Sequence, residues 1–435
     1  MTPSLYPSRY DRPSIMAFDK STLIVWVTLS LLVVETFSGA LRFYFEQLGV
    51  STLLYLPKAA CVLLIAVELT RYKANRAFWL ALLLLLLSSQ LALLHGASLS
   101  NVGFSLFMYS PLLFGLVCGE HLARRQRLLC WGIGLCLLAS LLGIVLDKLI
   151  AVPWKGYSYS IGATEISANM AWSSNGTDRI AGFSRMSTSL AMLIAIFSLY
   201  LAAFTRSRPL LLGLLAVAFY GILLSTNKST AAAFLCALLL MAISRYRLTC
   251  GLIFAITMLI GVALPVISML MSFNPHATSG SSSGVLASMY DRLVNTWPTM
   301  IAVIVDEAWT LWGAGFGMVG NSATTFPVPG GQLLSIADNT ALYLWATFGI
   351  SGVLLYGLLW PLLYHLREQT SRLSRALLGI SFCIVLVSWT TDVPEMPIAT
   401  LFLGLAIALV LRQKALPLIT LTERYEPSPE TLPVR

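Results

Sequence analysis

Long, unbroken apolar runs separated by short polar connectors recur along almost the whole chain. The runs are continuous rather than alternating: Ala81 to Leu87 reads ALLLLLL. A stretch of about 20 apolar residues matches the hydrocarbon thickness of a bilayer. Lipid offers the backbone no hydrogen-bond partner, so spanning segments are helices or closed barrels, and unbroken runs favour helices. The pattern predicts spans at 22–41, 51–69, 77–94, 101–118, 128–146, 187–204, 209–225, 229–244, 250–271, 341–364, 376–393 and 397–411. The expected fold class is an all-α, polytopic inner-membrane bundle of about 12 transmembrane helices. It forms one integral membrane domain over residues 1–414. Residues 415–435, rich in Pro, Glu and Thr, are expected to be a disordered cytoplasmic tail.

Composition agrees. Only 11% of the 435 residues are charged and 57% are hydrophobic, against about 25% charged in soluble domains. The first 20 residues carry Arg9, Arg12 and Lys20, and the run from Ser21 lacks a small-residue cleavage site, so the first span reads as a retained anchor. The net charge of +9 is scattered through short connectors, which marks topology determinants and argues against nucleic acid. A cytoplasmic N-terminus places 20 of the 28 Lys and Arg inside, and the even span count returns the C-terminus to the cytoplasm. All seven cysteines fall in or beside apolar runs without a CxxC. They read as small core hydrophobes rather than disulfides or metal ligands.

Eight basic residues run against the positive-inside bias: Arg42, Lys58, Lys148, Lys155, Arg179, Arg185, Lys228 and Arg292. Two outer connectors, about 147–186 and 272–337, are far longer than the rest and are expected to be folded, functional periplasmic loops. The first ends in Asp178-Arg179-Ile-Ala-Gly-Phe-Ser-Arg185 and enters a helix at Ser187. Guanidinium groups grip phosphate bidentately and keep their charge, and a helix start adds N–H donors. Lipid headgroups or snorkelling account for the same arginines equally simply.

The second loop carries Tyr290-Asp-Arg292 and Trp297 in a segment, 289–306, predicted as an interfacial helix anchored by Trp297. Asp338-Asn339 directly precedes a span, where Asp338 is a natural helix N-cap as well as a reactive carboxylate. Gly315-Phe-Gly-Met-Val-Gly320 matches GxGxxG but follows no βαβ strand, so the glycines are read as a tight turn. The four histidines are scattered, with His276 in the long loop. No metal set, cofactor motif or P-loop is evident. Glu35 and Lys58 stand out as intramembrane charges, which are functional candidates by default.

The order of these pieces is distinctive. Arg179-x-x-Gly-Phe183 enters one span and Leu223-Leu-Ser-Thr-Asn-Lys-Ser229 another. Arg292 and Trp297 follow, then Leu311-Trp-Gly-Ala-Gly-Phe-Gly317, then Asp338-Asn339-Thr-Ala-Leu-Tyr-Leu-Trp-Ala-Thr-Phe-Gly349-Ile-Ser-Gly352. This arrangement, over roughly residues 175–365, resembles the O-antigen polymerase/ligase superfamily, the Wzy-type membrane glycosyltransferases of bacterial polysaccharide assembly. Within it, the pattern is similar to polymerases of xanthan-type exopolysaccharides. Ligases of the family usually carry His-Asn where this chain has Asp338-Asn339. Related peptidoglycan polymerases carry an essential Asp before a similar helix.

The resemblance implies a GT-C-like, metal-independent enzyme acting at the periplasmic face. Its substrate would be an oligosaccharide repeat unit on undecaprenyl diphosphate, and a flippase and chain-length or export proteins would be its partners. On that basis Asp338 is the expected general base and Arg292 a charge stabiliser. Arg179, Arg185, Lys58, Arg42, Asn339, Trp297 and Tyr290 are expected to bind substrate. Trp309 joins Trp297 and Tyr290 as a sugar-stacking aromatic, with interface anchoring as the alternative. Two other classes remain open: a ligase using another acceptor, and a lipid-linked oligosaccharide flippase or transporter. The latter would place polar groups at mid-membrane rather than in outer loops.

Overall fold

The computed structural model describes residues 20–70, 73–74, 76–161, 164–167, 169, 173–174, 177–271, 287–328, 331–413 and 419–420. Arg9, Arg12, most of the expected tail and residues 272–286, with His276, lie outside the described residues. The helices are α1 (Lys20–Thr36), α2 (Ser38–Gln47), α3 (Leu56–Leu69), α4 (Arg76–Leu94), α5 (Leu99–Arg124), α6 (Gln126–Leu149), α7 (Ser187–Phe204), α8 (Arg208–Leu224), α9 (Lys228–Ile243) and α10 (Arg247–Leu270). The second half adds α11 (Ala287–Asp291), α12 (Trp297–Asp306), α13 (Asn321–Thr325), α14 (Thr340–Phe348), α15 (Ile350–Gly357), α16 (Leu359–Glu368), α17 (Arg372–Val387) and α18 (Pro397–Gln413). Among the described residues, three short antiparallel pairs accompany the helices. Two lie in the first long loop (158–161 with 164–167, 173–174 with 177–178), and Lys73–Ala74 pairs with Ile419–Thr420 of the expected tail.

Among the described residues, five helical stretches are long and apolar enough to cross a membrane: Ser51–Leu69, α5, α6, α7 and α10. A sixth is added if α1 and α2, bent by 86° at their junction, count as one span. The other expected spans are apolar but shorter, such as α8 and α9, or interrupted. The expected helix 341–364 is broken into α14, α15 and α16. The first break is at Gly349, whose φ of +61° lies where a side chain is strained. Any Cβ there would collide with the Leu311 carbonyl, while Ile350 N–H donates to that same carbonyl (3.1 Å). The second long loop thus docks into the break.

Among the described residues, two large hydrophobic cores result, with a small third cluster of Ala40, Val152 and Trp154. The larger runs through α1, α3, α5–α10 and α16–α18. Its centre is α7, buried over most of its length because it is apolar all round. Small residues let α5 and α18 approach closely: a Cβ at Gly115 would meet the Leu401 carbonyl, and one at Gly404 the Leu112 carbonyl. Of the seven free cysteines, five are buried in this core, Cys130 is half-buried and Cys236 is exposed.

The smaller core is built by the second loop. Residues 313–320 are buried against the ends of α4 and α5 and against α14. Ala314 and Gly315 N–H donate to the Ala346 and Thr347 carbonyls (2.7 and 3.1 Å), and Phe316 N–H to Ser88 (3.1 Å). The glycine-rich stretch is therefore packed backbone, where a Cβ at Gly315 would run into Ala92.

Candidate active site

One carboxylate organises the return of the second loop into the bundle. Asp392, in the connector between α17 and α18, accepts three successive backbone N–H groups. Those of Ala337 and Asp338 reach Oδ2 (3.0 and 3.1 Å), and that of Asn339 reaches Oδ1 (3.2 Å). The adjacent threonine extends the clamp. Thr340 Oγ1 donates to the Thr391 carbonyl (2.7 Å) and accepts from Val393 N–H (3.1 Å). This grip holds Asp338 at φ +49°, a left-handed conformation that an Asp adopts at modest cost.

Arg292 approaches from the other side of the loop, its Nε donating to Asp338 Oδ2 (3.0 Å) and its Nη1 to Ser288 Oγ (2.9 Å). The predicted helix 289–306 is present with an irregularity at this residue. Residues 292–296 form a π-turn between α11 and α12, closed by Trp297 N–H to the Arg292 carbonyl. Such bulges insert an extra residue into a helix and are frequent at functional sites. Here the bulge lies where Pro298, at the second position of α12, has no N–H to offer the regular ladder.

A third acid completes the group. Glu395 Oε1 accepts Asn321 N–H (2.5 Å) and its Oε2 accepts Asn321 Nδ2 (2.7 Å). Desolvation dominates the protonation of all three acids, because it disfavours the charged form. It raises Asp338 above the usual carboxylate range, with Arg292 pulling back. Desolvation and the neighbouring Asp338 push Asp392 up to about 7 against its three N–H donors. Desolvation and Asp392 push Glu395 up to about 8, opposed by Asn321 and by the nearby Arg185 guanidinium. Arg292 of the second loop thus pairs directly with one acid of the group, and the charge of Arg185 from the first loop acts on another, Glu395.

The first loop is anchored separately. Asp147, at the end of α6, accepts Ala181 and Gly182 N–H on Oδ2 (both 3.0 Å) and pairs with Lys155 Nζ (3.3 Å). The segment then lies across the α1–α2 bend. Gly39 N–H donates to the Phe183 carbonyl (2.8 Å), Ser184 Oγ to Thr36 (3.1 Å) and Arg185 N–H to Ser38 Oγ (3.0 Å). Arg42, one turn beyond Ser38, and Lys58 line a small cavity at this bend, where Lys58 Nζ pairs with Glu35 Oε1 (3.6 Å).

The remaining expected site residues divide. Arg179 is half-buried, its Nε enclosed and without a hydrogen bond among the described residues, and no contact ties it to the acid group. Tyr290 is half-buried on α11. Trp297 is fully buried, its indole donating to the Ala337 carbonyl (3.1 Å). It props the loop from beneath and presents no ring face to a sugar or to the interface. Asn339 is also fully buried. Its Oδ1 caps α14 through Leu342 N–H (2.9 Å), and its Nδ2 donates to the Gly261 and Trp389 carbonyls (3.0 and 3.2 Å), so it shapes the site without offering a polar atom to substrate. The helix-capping role considered for Asp338 thus belongs to Asn339. Trp309 stacks on His95 (centroids 5.1 Å), whose Nδ1 is 2.7 Å from the Ala314 carbonyl.

Sequence reasoning overlooked Asp392 and Glu395. The signal was present: two acids in the short connector Thr391-Asp-Val-Pro-Glu395, which contains no Lys or Arg. Counting basic residues for topology ignores acids, and so passes over them. The chain matches no protein-family model and shows no significant similarity to a curated protein sequence.

Proposed function

We propose that this protein is a membrane glycosyltransferase that polymerises undecaprenyl-diphosphate-linked oligosaccharide repeat units into exopolysaccharide or O-antigen. In this reading about twelve helical segments, several of them short or broken, span the bacterial inner membrane. Both termini are cytoplasmic, and the two long loops face the periplasm. The observation that carries the reading is the Arg292–Asp338 pair, held on a buried loop over Asp392, with the Arg185 charge acting on the adjacent Glu395.

The chemistry asked of these groups is simple. An acceptor hydroxyl attacks the anomeric carbon of the donor, the new glycosidic C–O bond forms, and the bond to the lipid diphosphate breaks. Asp338 takes the hydroxyl proton, which its raised proton affinity favours. Arg292 fixes the carboxylate in place. Its fixed charge and that of Arg185 offset the negative charge growing on the leaving diphosphate, a contribution of about 3 kcal/mol for one well-placed donor. The departing group is the polyprenyl diphosphate itself, so no nucleotide is needed.

Reconstitution of the purified chain in liposomes with lipid-linked repeat units tests the reading. A ladder of longer lipid-linked products is expected. Survival of single repeats alone would sink the polymerase, and transfer of intact glycan to a non-carrier acceptor would redirect the reading to a ligase.

A further inference from the structure

We propose that Arg292 makes the base conditional on the donor: the lipid diphosphate docks on the guanidinium that already holds Asp338, and its arrival is what strengthens that carboxylate as a proton acceptor. This regulation rests on the glycosyl-transfer reading and adds an order of events to it, donor before acceptor.

The first observation is how Arg292 uses its donors. A guanidinium donates from Nε, Nη1 and Nη2. Here Nε donates to Asp338 Oδ2 (3.0 Å), and Nη1 to Ser288 Oγ and the Ser288 carbonyl (2.9 and 3.3 Å). Among the described residues, Nη2 makes no hydrogen bond and Asp338 Oδ1 accepts none. The pair therefore keeps one open nitrogen and one open carboxylate oxygen. Its side chains are 17% and 33% exposed, so a ligand can reach both while water screens neither fully.

The second observation is that the pair is clamped. The Trp297 indole donates to the Ala337 carbonyl (3.1 Å), and Asp392 accepts the N–H groups of residues 337–339. Arg292–Asp338 and Trp297–Ala337 are thus adjacent rungs between the same two segments, one at each end of the π-turn. A ligand on Arg292 shares the guanidinium with Asp338 instead of pulling the two apart.

The third is the sign of the surroundings. Asp338 is faced by Asp291 of α11 and by Asp392 of the α17–α18 connector, with Arg292 as the cation. Glu395 lies beyond Asp392, and the Arg185 charge acts on it. A prenyl diphosphate is a polyanion. Its charge beside Asp338 disfavours the ionised carboxylate and so raises its proton affinity. Near neutral pH the gain appears as a stronger base for the acceptor hydroxyl. At lower pH it appears as a proton taken from solvent onto Asp338.

Isothermal titration calorimetry of the purified full chain with farnesyl diphosphate, in buffers of different ionisation enthalpy, reads that proton without turnover. A tenfold gain in proton affinity corresponds to about half a proton taken up per ligand at the pH of maximum effect. Wild type should show uptake of that order between about pH 5 and 7, falling away toward pH 8.5, with a Kd that tightens as pH falls. Asp338→Asn should bind at least as tightly and lose the uptake, whereas Asp338→Glu should keep it. Arg292→Gln should weaken binding about tenfold or more. Wild-type binding without uptake, uptake unchanged in Asp338→Asn, full affinity in Arg292→Gln, or no saturable wild-type binding each overturns the coupling. The liposome ladder is read separately. A ladder without uptake removes only the coupling, and uptake without a ladder leaves a coupled diphosphate site in a protein that is not a polymerase.

Discussion

The two long loops return to the bundle by the same device and put it to different use. Each closes over an aspartate that accepts consecutive backbone N–H groups just before a helix begins. Asp147 takes those of residues 181 and 182 ahead of α7, and Asp392 those of residues 337–339 ahead of α14. Asp147 has a cation, Lys155, at 3.3 Å. Asp392 instead is desolvated beside Asp338, two effects that together hold its proton up to about 7. A buried carboxylate with N–H donors and a cation is a fastener. One with N–H donors and acidic neighbours keeps an unresolved charge in a packed region, a feature concentrated at functional sites. On the proposed reading the first loop is scaffold apart from Arg185, and the second carries the other reactive groups.

The sharpest way to break this contrast is Asp338→Asn. The isostere keeps the loop packing but removes a base. Product formation in the liposome assay should fall by about a hundredfold or more, with the thermal unfolding midpoint close to wild type. Retained turnover would return Asp338 to a structural role.

Asp147→Ala should do the reverse. It strands Lys155 and two buried N–H groups, costing about 3 kcal/mol of stability. Denaturant unfolding of the purified protein should show that loss, while turnover per folded molecule is little changed. A selective loss of turnover would mean that the Asp147 clamp also sets the position of Arg185.

The acid group also carries a pH dependence of predictable sign. Asp392 and Glu395 have folded-state pKa values raised to about 7 and about 8, above their ordinary 3.8 and 4.5. The folded state thus binds these protons more tightly than the unfolded chain. Their contribution to stability is fully present below about pH 4 and is lost as pH rises through 7 to 8. Amide hydrogen exchange at Asn321 and residues 337–339, corrected for intrinsic rates, should show protection falling from pH 5 to 8. Glu395→Gln should flatten that fall, most clearly at Asn321. An unchanged profile would remove Glu395 from the titrating set.

The smallest expected effect is that of Trp297→Phe. It deletes one buried hydrogen bond to Ala337, worth about 1 kcal/mol, and should lower stability slightly while leaving the apparent KM for lipid-linked substrate unchanged. A clear rise in KM would show that the indole reaches substrate after all.

Much of this was legible in the chain. Unbroken apolar runs determine helices, since lipid or a dry core leaves the backbone no other partner. The runs also located α5–α10 to within a few residues of the expected spans, and the departures from the positive-inside bias pointed to Arg185 and Arg292. Asp338 stood out because it directly precedes a helix at the end of an expected outer loop.

What the tertiary structure decided are relationships between distant residues, on which local pattern is silent. The broken segment α14–α16 has an apolar composition that a straight helix would share. Its break at Gly349 receives the carbonyl of Leu311, 38 positions earlier. Trp297 and Asn339 have the composition of contact residues, yet burial commits their polar atoms to Ala337, Gly261, Leu342 and Trp389. Arg179 and Arg185 read alike in sequence, but only Arg185 comes near Glu395. The sequence by itself determined which stretches must be helical and which charges are out of place. Which of those charges meet was settled by packing, because a hydrogen bond between residues 46 or 54 positions apart, such as Arg292–Asp338 or Asp338–Asp392, leaves no periodic trace along the chain.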